Sequence, residues 1–223
     1  MKLMGKASVL LLSALLGAHA LAAEGDAKAG ESKAAACAAC HGKDGNSSAP
    51  TFPKLAGQGS RYIVKQLQDF KSGRRDNGIM KAQASGLSDQ DMADLAAYFS
   101  SQTIQVGKAD PELVKQGERL YRGGDLEKGI AACSGCHGPS GQGIEAAGFP
   151  HLAGQHADYI EAQLKAFRSA GREDIGGTKR MNDADPGVKG MMQTTAAKMS
   201  DMQIKAVASF ISGLGPDKPK QDK

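Results

Sequence analysis

The chain has 223 residues, with six Phe, four Tyr, no Trp, 29 Gly and a formal charge of +4. That length allows one large domain or two small ones, and so few aromatic rings leave a core short of filling unless a large apolar cofactor supplies it. Lys and Arg are scattered rather than gathered into a stripe, which excludes the electrostatic footprint of a nucleic-acid-binding protein.

At the N-terminus Lys2 and Lys6 precede an apolar run over residues 9–16, followed by Ala20-Leu21-Ala22. Basic residues, a short apolar stretch and a small-x-small site predict a secretory signal peptide over residues 1–22. The run is too short to cross the hydrocarbon layer as a helix, so an uncleaved membrane anchor is the competing and weaker reading. Cleavage after Ala22 removes Lys2 and Lys6 and leaves a charge of about +2.

The next landmark is Cys37-Ala38-Ala39-Cys40-His41, which returns 96 residues later as Cys133-Ser134-Gly135-Cys136-His137. Phe52-Pro53-Lys54-Leu55-Ala56-Gly57-Gln58 returns as Phe149-Pro150-His151-Leu152-Ala153-Gly154-Gln155. Tyr62, Gln66, Leu67 and Phe70 meet Tyr159, Gln163, Leu164 and Phe167, and Leu87-Ser88-Asp89 is echoed by Met199-Ser200-Asp201. Landmarks in one order at a period near 100 residues mean a duplicated domain, since solenoid units are much shorter. The predicted division is residues 23–105 and 106–223, with the boundary in the polar stretch 103–109.

Each half reads as all-α. Tyr62, Leu67 and Phe70 share a face at helical spacing. Ser88 with Asp91, and Ser200 with Gln203, stand as N-cap and N3 residues ahead of amphipathic stretches ending near Ser101 and Ser212. Asp110-Pro111 predicts a helix running through Tyr121. Alternating β-branched runs are nearly absent.

Two cysteines three apart with His next form the pattern of covalent haem attachment. Both thiols lie on one side of a helical turn, where they can add to two vinyl groups of one porphyrin, and the following imidazole can reach the iron. A thioredoxin-like pair would need a βαβ setting, and zinc would need a fourth ligand in each repeat. Disulfides are the remaining competitor in an oxidising compartment. The repeated motif therefore predicts two covalently bound haem c groups, attached at Cys37 and Cys40 and at Cys133 and Cys136, with His41 and His137 on the irons.

The second axial ligand separates electron transfer from substrate chemistry. Met80 lies seven residues before Leu87, and Met192 seven before Met199, so the shared landmark nominates both. Met191 is an immediate rival and Met181 a weaker one. Met92, Met199 and Met202 fall inside the final helical segments and are expected in the core, the usual place of methionine. Met80 is expected in a loop, Asn77-Gly78-Ile79-Met80. The carbonyls of Pro53 and Pro150, 12 and 13 residues after the histidines, are expected to fix each ring through its other nitrogen. The competing reading of each Phe-Pro is a simple chain turn.

With both Cys-x-x-Cys-His motifs, both Phe-Pro-x-Leu-Ala-Gly-Gln segments and the Leu-Ala-Ala-Tyr-Phe-Ser ending at Ser100, the chain resembles the cytochrome c4 family, duplicated dihaem class I cytochromes c. The match covers essentially all of the chain after the leader. It implies two tandem class I cytochrome c domains related by pseudo-twofold symmetry, with haem propionate edges facing one another. It also implies His/Met ligation at both irons, carried here by His41 with Met80 and His137 with Met192. The resemblance further implies a periplasmic electron carrier, often loosely at the membrane, between a quinol-oxidising complex and a haem–copper terminal oxidase. In such domains the first helix crosses the last at a small residue, which maps to Gly30 and Gly117 against Tyr98 and Phe210. Extra residues between Arg172 and Gly190, rich in Gly, Asp and Lys, are expected to form a solvated loop. The rival class is a dihaem enzyme, such as a peroxidase or a thiosulfate-oxidising cytochrome. It would need a spare ligand, for which only His151 and His156 remain, and both are expected as surface polar residues.

Overall fold

The structure is a computed structural model and describes residues 24–215. The leader expected over residues 1–22 lies outside them.

The first half is built from five helices. Asp26 opens α1 (Ala27–Ala34) by accepting the Lys28 and Ala29 N–H groups on its side chain. A single turn, α2 (Ala38–His41), stops at Gly42, whose φ of 80° suits glycine. Helix α3 (Ser60–Ser72) buries Ile63, Gln66 and Phe70, and α4 (Gly78–Ser85) and α5 (Asp89–Ser100) follow. The second half repeats the order with α6 (Val114–Gly123), the turn α7 (Ser134–His137), α8 (Ala157–Arg172), α9 (Met191–Ala196) and α10 (Asp201–Gly213). A 3₁₀ turn, Glu145–Ala147, is added ahead of α8. Among the described residues there is no strand, only two isolated bridges. Both expected capping boxes are formed: Ser88 with Asp91, and Ser200 with Gln203.

Each half closes by crossing its first helix over its last. A Cβ on Gly30 would stand 2.0 Å from the Asp94 carbonyl oxygen and 2.8 Å from the Tyr98 Cβ. One on Gly117 would stand 2.2 Å from the Ala206 oxygen and 2.6 Å from the Phe210 Cβ. These are the contacts expected at Tyr98 and Phe210, and only glycine permits them. At the first crossing Lys33 bonds the buried Asp94 carboxylate at 2.5 Å. Above the crossings lie two separate cores. Ile63, Leu95, Tyr98 and Phe99 belong to the first, and Tyr121, Ile160, Phe167, Val207 and Phe210 to the second.

Four expectations need correcting. Met80 is inside α4 rather than in a loop, because the Asn77 side chain accepts the Met80 N–H at 2.9 Å and starts a helix there. The helix-start signal at Asp110-Pro111, which opens the second half, gives a turn in which Asp110 accepts from the Glu112 N–H; the regular helix begins at Val114 and runs two residues past Tyr121, to Gly123. The extra residues 173–189 are not wholly solvated: Arg180 and Asn182 are buried by partners in both halves. Met202, placed on the outward side of α10 beside the buried Gln203 and Ile204, is 53% exposed.

Candidate functional site

The two Cys-x-x-Cys-His turns have the same construction. In each, the His N–H closes a helical bond onto the carbonyl of the first cysteine, Cys37 at 3.0 Å and Cys133 at 2.9 Å. Each imidazole is buried, and its Nδ1–H donates to a proline carbonyl: His41 to Pro53 at 2.8 Å, His137 to Pro150 at 3.0 Å. A carbonyl can only accept, so the proton sits on Nδ1 and the lone pair is on Nε2, to which no described residue bonds. Phe52 and Phe149 brace the rings, with centroids 6.2 and 6.3 Å away.

Burial, partly opposed by the proline carbonyls, pushes both imidazoles below the ordinary histidine value, which favours the neutral ring that a metal binds. All four cysteines are free. Burial pushes the Cys133 thiol up to about 11 and raises Cys37 as well. An apolar setting that keeps thiols protonated is the reverse of what a thioredoxin-like pair requires. Nor is there a cluster of three or more His, Cys, Asp or Glu side chains suited to a metal ion among the described residues. A porphyrin needs instead two thiols, one neutral imidazole and apolar walls, and that set is present twice.

The methionines separate cleanly. Met192 packs against the second core, whereas Met191 and Met181 are 60% and 59% exposed. Helix α9 is aimed by Asp183, which accepts the Met192 and Gln193 N–H groups at 2.7 and 3.1 Å. The cap that Asn77 supplies locally in the first half thus comes from the inserted segment in the second.

The halves meet through paired contacts. Gln155 accepts the Lys54 N–H and donates to the Lys54 carbonyl, both at 2.9 Å. Gln58 does the same to His151, also at 2.9 Å for each bond. Lys54 and His151 occupy one position of the repeat and the two glutamines another, so the arrangement has pseudo-twofold symmetry. A second pair involves the arginines. Arg75 lies over Phe70 and donates to Tyr159, while Arg180 lies over Phe167 and donates to Tyr62.

His151 and His156 therefore need a different description from surface polar residues. His151 Nδ1 donates to the Gly57 carbonyl at 2.9 Å, and His156 Nε2 lies 2.9 Å from the Ser47 carbonyl. Both join the halves, and their hydrogen bonds hold them there. Sequence reasoning also missed Gln58, Gln155, Arg75 and Arg180; the repeated Gln of the two Phe-Pro segments was the available signal.

Comparison with known proteins places this geometry in a family. The Cytochrome c family model matches residues 27–103 and 114–215. Cytochrome c4 of Pseudomonas aeruginosa is 54% identical over 208 residues, 93% of this chain and 96% of that one. The crystal structure of reduced recombinant cytochrome c4 from Pseudomonas stutzeri superimposes with a TM-score of 0.77 at 51% identity, covering 85% of this chain and 99% of that one. A more distant relative, a thiosulfate dehydrogenase electron acceptor of Thiomonas intermedia, is 39% identical over 216 residues, 94% of this chain and 93% of that one. Two all-helical domains, two thiol–imidazole cradles and these likenesses lead to one conclusion: the chain belongs to the cytochrome c family, among the cytochromes c4, and is an electron carrier with two covalently bound haem c groups rather than an enzyme.

Proposed function

We propose that Cys37 and Cys40 would hold one haem and Cys133 and Cys136 the other, and that His41 with Met80, and His137 with Met192, would ligate the irons. The observation that carries this reading is the duplicated cradle, in which each buried imidazole is fixed by a proline carbonyl and keeps Nε2 free of the protein. Met80 and Met192 enter at the starts of capped helices, in matching places in the two halves.

When bound, haem iron accepts and releases single electrons. The protein's part is to keep the rings still, so that little rearranges as charge changes. The proline carbonyl holds each imidazole in one tautomer and one orientation. Glycine-locked helix crossings fix the wall behind each core, and the glutamine and arginine pairs hold one domain against the other. With one imidazole and one thioether of the protein given to each iron, the bound haems would have no coordination site left for a substrate, in keeping with a carrier.

The mature protein works in the periplasm after removal of residues 1–22, with domains over 23–105 and 106–223. It takes electrons from a quinol-oxidising complex and delivers them to a haem–copper terminal oxidase, with peripheral attachment to the membrane. Among the described residues no helix is long and apolar enough to cross a membrane. The relative from Thiomonas intermedia supports a second donor, a thiosulfate dehydrogenase.

Mass spectrometry of the purified holoprotein tests attachment: two haem adducts are expected, on peptides containing residues 37–41 and 133–137, and their absence overturns the assignment. Stopped-flow reduction by a quinol-oxidising complex and by thiosulfate dehydrogenase, followed by oxidation with a terminal oxidase, decides the partners. Failure of both reductants rejects both donors.

A further inference from the structure

The carbonyl that receives each proximal imidazole belongs to a peptide unit clamped by the opposite domain. Pro53 O, which accepts from His41 Nδ1, shares its amide with the Lys54 N–H, and that N–H donates to Gln155 Oε1 at 2.9 Å. In the second half, Pro150 O accepts from His137, and the His151 N–H of the same amide donates to Gln58 Oε1 at 2.9 Å. The result is two short chains of identical form. Each runs from a glutamine of one domain, through one peptide, to the imidazole of the other.

The clamps are well defined. Gln155 and Gln58 are 5% and 8% exposed, so bulk water competes little for these bonds. Each amide nitrogen also donates back, to the Lys54 and His151 carbonyls, which forces Oε1 toward the backbone N–H. Each Oε1 takes a second N–H from the residue after its own glutamine, Gly59 at 2.9 Å and His156 at 3.0 Å.

An acceptor on the N–H of a peptide polarises it and makes its carbonyl a better acceptor in turn. A better acceptor at Nδ1 gives the imidazole more electron density to offer through Nε2, and such outer partners tune a ligated metal. More donation stabilises the oxidised iron. We infer that Gln155 and Gln58 are positioning residues that act across the domain interface, Gln155 lowering the reduction potential of the first haem and Gln58 that of the second. This rests on His41 and His137 being the iron ligands. It makes domain contact itself a setting of both potentials: parting the domains removes both clamps and raises both.

The test uses full-length holoprotein carrying Gln155→Met or Gln58→Met, which keep the length of the side chain and lose its hydrogen bonds. Redox titration followed by nuclear magnetic resonance assigns each potential to its own haem, and hyperfine-shifted ring protons report the state of each ligated histidine. Q155M is expected to raise the first haem's potential and move the His41 signals, with a smaller effect on the second haem. Q58M is expected to do the reverse. Gln155→Glu, which keeps the acceptor but loses the donor, is expected to leave the first potential at or below that of the parent. A glutamine that merely holds the domains together would move neither potential selectively. Equal shifts at both haems, a larger shift in the variant's own domain, or no shift overturns the inference. The parent's spectra separate this from failure of the ligand assignment, since a parent without His/Met signals rejects the ligands before any glutamine is changed.

Discussion

Arg180 donates to the Tyr62 hydroxyl of the other domain at 2.8 Å while its guanidinium carbon lies 4.5 Å from the Phe167 ring centroid of its own. It also bonds Gln163 at 2.9 Å and Asn182 at 3.0 Å, so one buried side chain gathers both long helices and the inserted segment. Arg180→Met keeps much of the volume and none of the donors. It is expected to cost about 2 kcal/mol, the scale of losing charge-assisted hydrogen bonds whose acceptors stay buried. Urea unfolding followed at both haems will show whether the two domains, expected to unfold together in the parent, separate into two transitions.

Gly30 and Gly117 carry the helix crossings, where any Cβ would meet a backbone carbonyl oxygen within 2.2 Å. Gly30→Val and Gly117→Val are each expected to destabilise by about 3 kcal/mol or more, because backbone cannot yield as a flexible side chain does. Gly86, with φ of −88° and nothing within 4 Å, is the control. Gly86→Ala is expected to be neutral or to stabilise by about 0.5 kcal/mol. Thermal unfolding of the three variants checks the contrast.

Acid sensitivity is expected at the first crossing. The Lys33 ammonium, the Asp26 N–H and the Gln90 amide hold the Asp94 carboxylate down at about 2, against an ordinary 3.8. On acidification the unfolded chain therefore takes up this proton first. The contribution is whole above about pH 4 and is lost as the pH falls towards about 2. Melting temperature measured over that range should fall less steeply in Asp94→Asn than in the parent.

The two adjacent methionines of α9 are expected to behave differently. Met192→Leu should abolish the thioether-to-ferric charge-transfer band of the second haem and lower its potential, since a thioether favours the reduced iron. Met191→Leu, at an exposed position, should leave both unchanged. Visible spectroscopy with redox titration distinguishes them, and the opposite result would exchange the ligand.

Much of this organisation was legible in the residues. Capping boxes are local, so Ser88 with Asp91 and Ser200 with Gln203 could be read directly. The proline carbonyls could be proposed because a Pro follows each histidine at nearly the same spacing in both halves, whereas the glycine crossings came from the family resemblance and not from the residues alone. Met80 was misplaced for a physical reason: Gly78 suggested a loop, but the Asn77 cap two residues before Ile79 outweighs one glycine in the first turn. The inserted segment was misjudged because composition cannot see partners. Arg180 and Asn182 are polar, and they are buried because Tyr62, Gln66 and Asp69 of the other domain receive their hydrogen bonds. His151 and His156 were misread likewise, their acceptors lying some hundred positions away along the chain.

In each half the first helix finds its main docking surface only when the last one exists, for α1 lies on α5 and α6 chiefly on α10. Such closure from end to end is slow compared with neighbour-to-neighbour assembly. A newly emerging half must therefore remain ajar for some while after its cysteines appear. That delay gives the ring an interval in which to be stitched on, before glycine and carbonyl meet and shut the wall behind it.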